Sequence, residues 1–326
     1  MDLIESHADD LQLMRKTWTR IWVTGMVVTL ALLPLYAPEH VVYVGTLVAI
    51  YAIGVLGQNL LIGTAGQISF GQAGFLCVGA YTFGHLSRAG VPWPLGVLAA
   101  GLLTAGFGLV VGFPSLRLKG PYLAVVTLGF GVAVYQIFVN SPLLSGGRMG
   151  LQVDKLSPRW GLSAGDFVYY LYFAIALVFT LATYNLLSSY LGRALVAIRD
   201  NDIAAEILGV NLTRYKLLAF AISSFYIGVQ GGLYALFIGY LEPNMFAFNE
   251  TIVFLVAVIV GGLGSVEGAL FGAAFAVLVP VLFSDFKQYV PVVFGAAIVV
   301  VLIFEPGGLA GSWAKLRLYF RNWPFR

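Results

Sequence analysis

Residues 191–211 have the sequence LGRALVAIRDNDIAAEILGVN, and this charged stretch separates two long apolar runs at 167–190 and 216–240. Each run is long enough to cross a bilayer, since a membrane helix takes roughly 20 apolar residues. The contrast predicts two membrane helices joined by a polar connection. Similar apolar runs recur along the whole chain.

The composition of the chain excludes most other classes of protein. Of its 326 residues, 60% are hydrophobic and 10% are charged, and the mean hydropathy is +0.90. A soluble domain is about 45–50% apolar and about 25% charged, so this chain has too little polar surface to be one. Disorder is excluded as well, because it requires low hydrophobicity and high charge. What remains is an integral helical membrane protein.

Ten apolar runs divide the chain into candidate membrane spans. They lie at roughly 21–37, 41–62, 68–87, 94–113, 122–140, 167–190, 216–240, 250–263, 269–283 and 289–305. The eighth and ninth runs are short and are joined by GGLGSVEG at 261–268, so they are either two spans or two half-helices that meet inside the membrane. The sequence therefore predicts an all-α polytopic membrane protein with about ten transmembrane helices, within a range of eight to ten.

The basic residues indicate how the chain is oriented. With a cytoplasmic N-terminus and ten crossings, 13 of the 18 Lys and Arg residues fall in cytoplasmic segments and 5 fall outside, as the positive-inside rule requires. We therefore expect a cytoplasmic segment at 1–20, a transmembrane domain at 21–306 and a cytoplasmic tail at 307–326. The basic residues flank apolar runs, so we expect contact with membrane lipid and no nucleic-acid partner.

The predicted spans contain almost no charged residues away from their ends. Intramembrane charges mark proton relays, ion paths and voltage sensors, so a proton-coupled carrier, a pump core and a voltage-gated channel are disfavoured. The sequence also has no G-x-x-x-x-G-K-[ST] motif, which excludes a P-loop ATPase on this chain. If this protein moves a solute uphill, the energy must therefore come from a partner.

The stretch at 191–211 predicts one or two short amphipathic helices. Leu195 and Ile198 form one apolar face, and a second apolar set follows at helical spacing, namely Ile203, Ile207 and Val210. Asp200 or Asn201 is expected to cap the second helix, and Gly209 is expected to end it. Two interpretations remain open: a helix lying among the lipid headgroups, or a helix that docks into a cleft of a cytoplasmic subunit.

A second candidate site lies in the glycine-rich stretch at 57–74. Uncharged polar side chains lie near or within its apolar runs: Gln58, Asn59, Thr64, Gln67, Ser69 and Gln72. Four glycines interrupt the helical pattern there: Gly63, Gly66, Gly71 and Gly74. Broken helices in transporters expose backbone groups to a polar solute, whereas small residues also let two helices pack closely.

These segments together resemble the LivM-type permeases of branched-chain amino acid ABC transporters. The sequence GRAxxAIRDNDIAAExLGVN at 192–211 is similar to the family's coupling loop. Four more segments match in order: GTAGQISFGQAGF at 63–75, LRLKGPYLAVVTLGF at 116–130, GGLGS at 261–265 and PGGLAG at 306–311. The widely cited pattern E-A-A-x-x-x-G is only partly present, because Ile203 stands where the pattern has its Glu and Asp202 lies one place earlier.

The resemblance implies one permease subunit of a heteromeric ABC importer, a transport subunit without enzymatic activity in a bacterial-type inner membrane. Its partners would be two ATP-binding subunits, a second related permease and a periplasmic or lipid-anchored solute-binding protein. ATP and magnesium would bind the partner subunits, and this chain would hold no cofactor. The solute would be a branched-chain or other amino acid. The alternatives are an importer of urea or short-chain amides, or a stand-alone facilitator or secondary carrier.

Two sets of site residues follow from the resemblance and the pattern. Coupling to the ATPase would involve the loop at 191–215 through Arg193, Arg199, Asp200, Asp202, Ala204, Ala205, Glu206 and Gly209. The translocation path would involve Gln58, Asn59, Gln67, Ser69 and Gln72. No residue is assigned to catalysis or to metal binding.

Overall fold

The structure is a computed structural model that describes Gly25 and residues 29–116, 118, 120–147, 150–156 and 164–321. The predicted N-terminal segment, residues 21–24 and 26–28 of the first predicted span, and the last five residues lie outside the described residues. Within the described part the protein is almost entirely α-helical, which confirms the predicted fold class.

Fourteen α-helices occur in the described part of the chain. In chain order they are α1 (Leu33–Tyr36), α2 (Glu39–Asn59), α3 (Gln72–Arg88), α4 (Trp93–Ser115), α5 (Pro121–Asn140), α6 (Pro142–Ser145), α7 (Ala164–Ser188), α8 (Tyr190–Asp200), α9 (Asp202–Ile207), α10 (Leu212–Ile238), α11 (Phe248–Gly261), α12 (Val266–Leu282), α13 (Val290–Phe304) and α14 (Gly308–Arg321). A π-helical turn, Leu60–Thr64, continues α2, and a 3-10 turn, Pro243–Phe246, precedes α11. Two short strands, β1 (Leu151–Gln152) and β2 (Tyr240–Leu241), pair antiparallel.

Six described helical stretches are long and apolar enough to cross a membrane, and a seventh results if α13 and α14, bent by 45°, are counted as one span. The predicted count of ten is therefore not confirmed. One reason is local: the third predicted span begins at residue 68, but α3 begins only at Gln72, because the chain between Gly66 and Gly71 is not helical. As a result α3 has 17 residues, fewer than the roughly 20 of a typical membrane span. Helix α12, which corresponds to the ninth predicted span, also has 17 residues.

Helix α10 lies at the centre of the bundle, packed against α2, α3 and α4. Glycines make this packing possible. A Cβ added to Gly228 would lie 2.5 Å from the hydroxyl of Thr104 on α4, and one added to Gly231 would lie 2.5 Å from the carbonyl oxygen of Leu76 on α3. Close approach of backbones through small residues is the usual way helices associate in lipid, where apolar side chains gain little by leaving the solvent.

Candidate functional site

The polar connection at 191–215 contains the two short helices α8 and α9, as predicted. The side-chain oxygen of Asn201 accepts a hydrogen bond from the Ala204 amide at 3.0 Å, so Asn201, rather than Asp200, caps α9. Gly209 has a φ of +85°, a conformation that suits glycine, and it follows the last turn of α9. Both ends of the helix are thus fixed by the residues that the sequence indicated.

The apolar faces of α8 and α9 have different surroundings. Leu195 and Ile198 of α8 are buried in the bundle. In contrast, three apolar side chains at α9 are between 66% and 82% exposed, and we call them the α9 ridge: Ile203, Ile207 and Leu208. Glu206 and Ala204 are exposed beside the ridge, whereas Ala205 is buried. Helix α8 is therefore part of the bundle, and α9 presents its apolar surface outward.

The two arginines of α8 make different contacts. Arg193 donates through Nη1 to the carbonyl oxygen of Ser188, which is close by in the chain, at 3.0 Å. Arg199 donates through Nη1 to the carbonyl oxygen of Gly63 at 2.8 Å, and through Nε and Nη2 to the carboxylate of Asp200 at 3.1 and 3.0 Å. Of these two arginines, Arg199 is therefore the one whose described hydrogen bonds link α8 to a distant part of the bundle.

A buried lysine that sequence analysis did not assign to the site joins α9 to α10. Lys216 lies near the start of α10 and is 8% exposed. Its Nζ lies 3.7 Å from Oδ2 of Asp202. Its backbone carbonyl oxygen accepts a long hydrogen bond from the side-chain Nε2 of Gln67 at 3.4 Å. The only sequence signal was its position at the edge of an apolar run, which also fits an ordinary charge at the membrane interface. Lys216 links α9 to the segment that follows α2.

The five polar residues predicted for the translocation path are each no more than 5% exposed, and the structure brings Gln58, Ser69 and Gln72 into contact. Gln58 donates to the carbonyl oxygen of Ser69 at 3.3 Å and accepts a hydrogen bond from the side chain of Gln72. These contacts join the end of α2 to the start of α3. Since the backbone between Gly66 and Gly71 forms no helix, side-chain contacts of this kind hold the break in place.

Asn59 joins the two glycine-rich stretches of the chain. Its Oδ1 accepts a hydrogen bond from the Gly264 amide at 2.8 Å, and its Nδ2 donates to the carbonyl oxygens of Ser265 at 2.7 Å and Gly262 at 3.4 Å. Ser265 in turn caps α12 by accepting from the Gly268 amide at 3.0 Å. The end of α2 is therefore fixed to the turn between α11 and α12.

One carboxylate lies deeper in the bundle than the sequence suggested. Glu250 is the first residue of the eighth predicted span. In the structure its Oε2 accepts a hydrogen bond from the hydroxyl of Tyr51 at 3.2 Å. Tyr51 lies near the middle of α2, and its ring stacks on Phe254 of α11. An apolar run that begins with an acidic residue gives no sign of this packing.

Comparison with known proteins shows which family the chain is similar to. A family model described as "Branched-chain amino acid transport system / permease component" matches residues 40–304. The high-affinity branched-chain amino acid transport system permease protein LivM of Escherichia coli is 33% identical over 316 residues, covering 89% of this chain and 74% of that protein. No solved structure matches the chain.

Two further relatives are more distant. A probable branched-chain amino acid transport permease protein LivM of Methanocaldococcus jannaschii is 26% identical, over 80% of this chain and 90% of that protein. The permease protein LivH of Salmonella typhimurium is 25% identical, over 82% of this chain and 92% of that protein. With the family model spanning most of the bundle, the chain belongs to the family of branched-chain amino acid transport permeases.

Proposed function

We propose that this chain is one of two permease subunits of an ATP-driven importer of branched-chain amino acids. Family membership supports the transport role, and the names of the relatives support the solute. Salmonella typhimurium has both a LivM and a LivH relative of this chain, which supports a second, related permease as partner. The further partners would be two ATP-binding subunits, which hold ATP and magnesium, and a solute-binding protein.

The α9 ridge is the observation on which the coupling proposal depends. Three exposed apolar side chains on a short, capped helix outside the bundle are suited to a groove on another protein. A helix that lies among lipid headgroups usually carries Lys and Arg on its polar face, whereas α9 carries Asp202 and Glu206 and no basic residue. The charge pattern therefore favours a protein partner over the headgroup layer, and we infer that this partner is the ATP-binding subunit.

The remaining predicted coupling residues have separate roles in this proposal. Asn201 and Gly209 set the length of α9, and Asp202 joins it to α10 through Lys216. Arg199, held by Asp200, connects α8 to Gly63. The complete proposed set is Arg193, Arg199, Asp200, Asp202, Ala204, Ala205, Glu206 and Gly209.

In the proposed mechanism, ATP binding closes the partner dimer and displaces α8 and α9. The displacement reaches the end of α2 through Arg199, and through Asn59 it reaches the turn that precedes α12. The path then switches between outward and inward access beside the break held by Gln58, Asn59, Gln67, Ser69 and Gln72. A solute-loaded binding protein favours the outward state because it makes different contacts with the two states. This mechanism requires the coupling loop, and with it both termini, to be cytoplasmic.

Purification of the intact complex tests the proposal. The tagged chain is extracted from its native membrane in mild detergent, and the co-purifying proteins are identified by mass spectrometry. We expect an ATP-binding subunit and a second permease. In vesicles, the complex with its binding protein should take up leucine, isoleucine or valine, but not urea, and only with ATP. Recovery of the chain alone, with uptake that needs no ATP, would show a stand-alone carrier instead.

A further inference from the structure

A groove with a volume of about 290 Å³ lies on the surface of the bundle. It runs between α5, the start of α3 and the start of α11. Its walls include Phe70 in the non-helical segment, Val132 and Gln136 on α5, and Phe248 and Thr251 on α11. The groove is open to the surface, where Val132, Gln136 and Phe248 are exposed.

The floor of the groove is the backbone of the break between α2 and α3. Gly131 on α5 has no side chain to cover it, and a Cβ added there would lie 3.5 Å from the carbonyl oxygen of Phe70. Two threonines hold this backbone from opposite sides. Thr127 on α5 accepts a hydrogen bond from the Phe70 amide at 2.8 Å, and the hydroxyl of Thr251 lies 3.4 Å from the Phe70 carbonyl oxygen.

One wall of the groove belongs to a helix that can cross the membrane. Helix α5 is one of the helices able to span, and it lines the groove from Leu128 to Gln136, a rise of about 12 Å. The exposed side-chain amide of Gln136 belongs to this lining, and lipid chains offer no hydrogen bonds to such a group. A groove that combines it with an open side therefore suits a water-filled space between two proteins better than a contact with lipid.

The lining also indicates what the groove can hold. Its volume leaves room for one small solute with some of its hydration. Leu128, Val132 and Phe248 form an apolar surface for an aliphatic side chain, while Gln136 offers an uncharged hydrogen-bonding group. Among the described residues no charged side chain lines the groove, so a zwitterion would be held weakly and released easily.

We propose that this groove is one wall of the solute path and that it contacts the aliphatic side chain of the transported amino acid. The opposite wall would come from the second permease, as in transporters whose substrate sites lie at the interface of related halves. This inference rests on the function proposed above and assigns residues to it: Val132 and Phe248 contact the side chain, and Gln136 contacts the polar end.

Cysteine labelling of the complete reconstituted complex tests the groove. The native Cys77 is 1% exposed, so we expect it not to react with the labelling reagent. Val132→Cys places a thiol in the groove, and Ala133→Cys places one on the same helix, exposed at nearly the same depth, but outside the groove. We expect a membrane-impermeant thiosulfonate to modify V132C and not A133C, and leucine supplied with the binding protein and ATP to slow the modification. A bulky Val132→Trp should lower uptake by about tenfold or more while ATP hydrolysis continues.

The outcomes separate this inference from the proposed function. If the wild-type complex takes up leucine with ATP but V132C is unreactive, or reacts equally with and without leucine, the groove assignment is wrong and the proposed function stands. Cross-linking of V132C to the second permease without leucine protection would make the groove a buried subunit contact and would also overturn the assignment. If the wild-type complex shows no ATP-dependent uptake, the proposed function itself fails.

Discussion

Arg199 donates a hydrogen bond of 2.8 Å to the carbonyl oxygen of Gly63, although 136 residues separate the two in the chain. The stem of the arginine packs on Gly66, where a Cβ would lie 2.8 Å from Cγ of Arg199. A Cβ on Gly264, in the turn held by Asn59, would lie 3.3 Å from Nη1 of the same arginine. One side chain of α8 therefore contacts the place where the two glycine-rich stretches meet.

This contact predicts that Arg199 is needed for coupling rather than for assembly. Arg199→Ala removes a charge-assisted hydrogen bond worth about 1.5–3 kcal/mol, so α8 can move without displacing the end of α2. We expect the number of leucine molecules imported per ATP to fall by about tenfold or more, while ATP hydrolysis by the complex continues. Arg199→Lys should recover only part of the loss, because lysine keeps the charge but not the planar fork.

Arg193→Ala is the matched control for this measurement. Arg193 lies on the same helix, and its hydrogen bond within the described part of the chain is to the nearby carbonyl oxygen of Ser188. An equal loss of coupling in R193A would contradict the role given to the Gly63 contact. So would loss of the ATP-binding subunit from R199A during purification.

Replacing Asn59 is expected to destabilise the turn between α11 and α12. Asn59→Leu removes the partners of the Gly264 amide and the Ser265 carbonyl oxygen, and each unsatisfied buried group costs about 1–3 kcal/mol. We expect a clear fall in the midpoint of thermal unfolding in detergent. Asn140→Leu is the control, because Asn140 is exposed and bonds within its own helix to Gln136. Equal midpoints for N59L and N140L would show that the turn does not depend on Asn59.

The close packing of Gly54 on α2 against Gln230 on α10 predicts that one substitution can compensate for another. A Cβ at Gly54 would overlap the amide oxygen of Gln230 on α10 and would lie 2.6 Å from its Cδ. Gly54→Ala should therefore destabilise the bundle by about 1–3 kcal/mol through overpacking. Neither amide atom of Gln230 has a hydrogen-bond partner in the described structure, so adding Gln230→Ala should remove the clash without breaking a bond.

Unfolding of the two single variants and the double variant measures this coupling. The double variant should be more stable than G54A. Gly129→Ala on α5, where a Cβ meets nothing within 4 Å, should be neutral or slightly stabilising. A double variant as unstable as the sum of the two single changes would show that the two residues do not share this space.

Local features were predictable from the sequence, and contacts between distant residues were not. The ends of α9 followed from Asn201 and Gly209 because capping depends on residue type at a given position. The late start of α3 was missed because Ile68 and Phe70 continue an apolar run, although the backbone there is not helical. The bonds of Asn59 to Gly264 and Ser265 span more than 200 residues, and periodicity carries no information about such pairs.

The α9 ridge predicts a substitution that weakens binding of the ATP-binding subunit without unfolding the chain. Ile207 is 81% exposed, so Ile207→Asp removes no packing within the permease. A charged side chain in place of an apolar one in the partner's groove should cost about 2 kcal/mol or more of binding free energy. We expect the amount of ATP-binding subunit recovered with the tagged chain to fall severalfold, with unchanged thermal unfolding of the permease.

Leu143→Asp, at an equally exposed apolar residue on α6, should leave recovery at the wild-type level. Equal recovery with I207D and L143D would remove the ridge from the coupling surface.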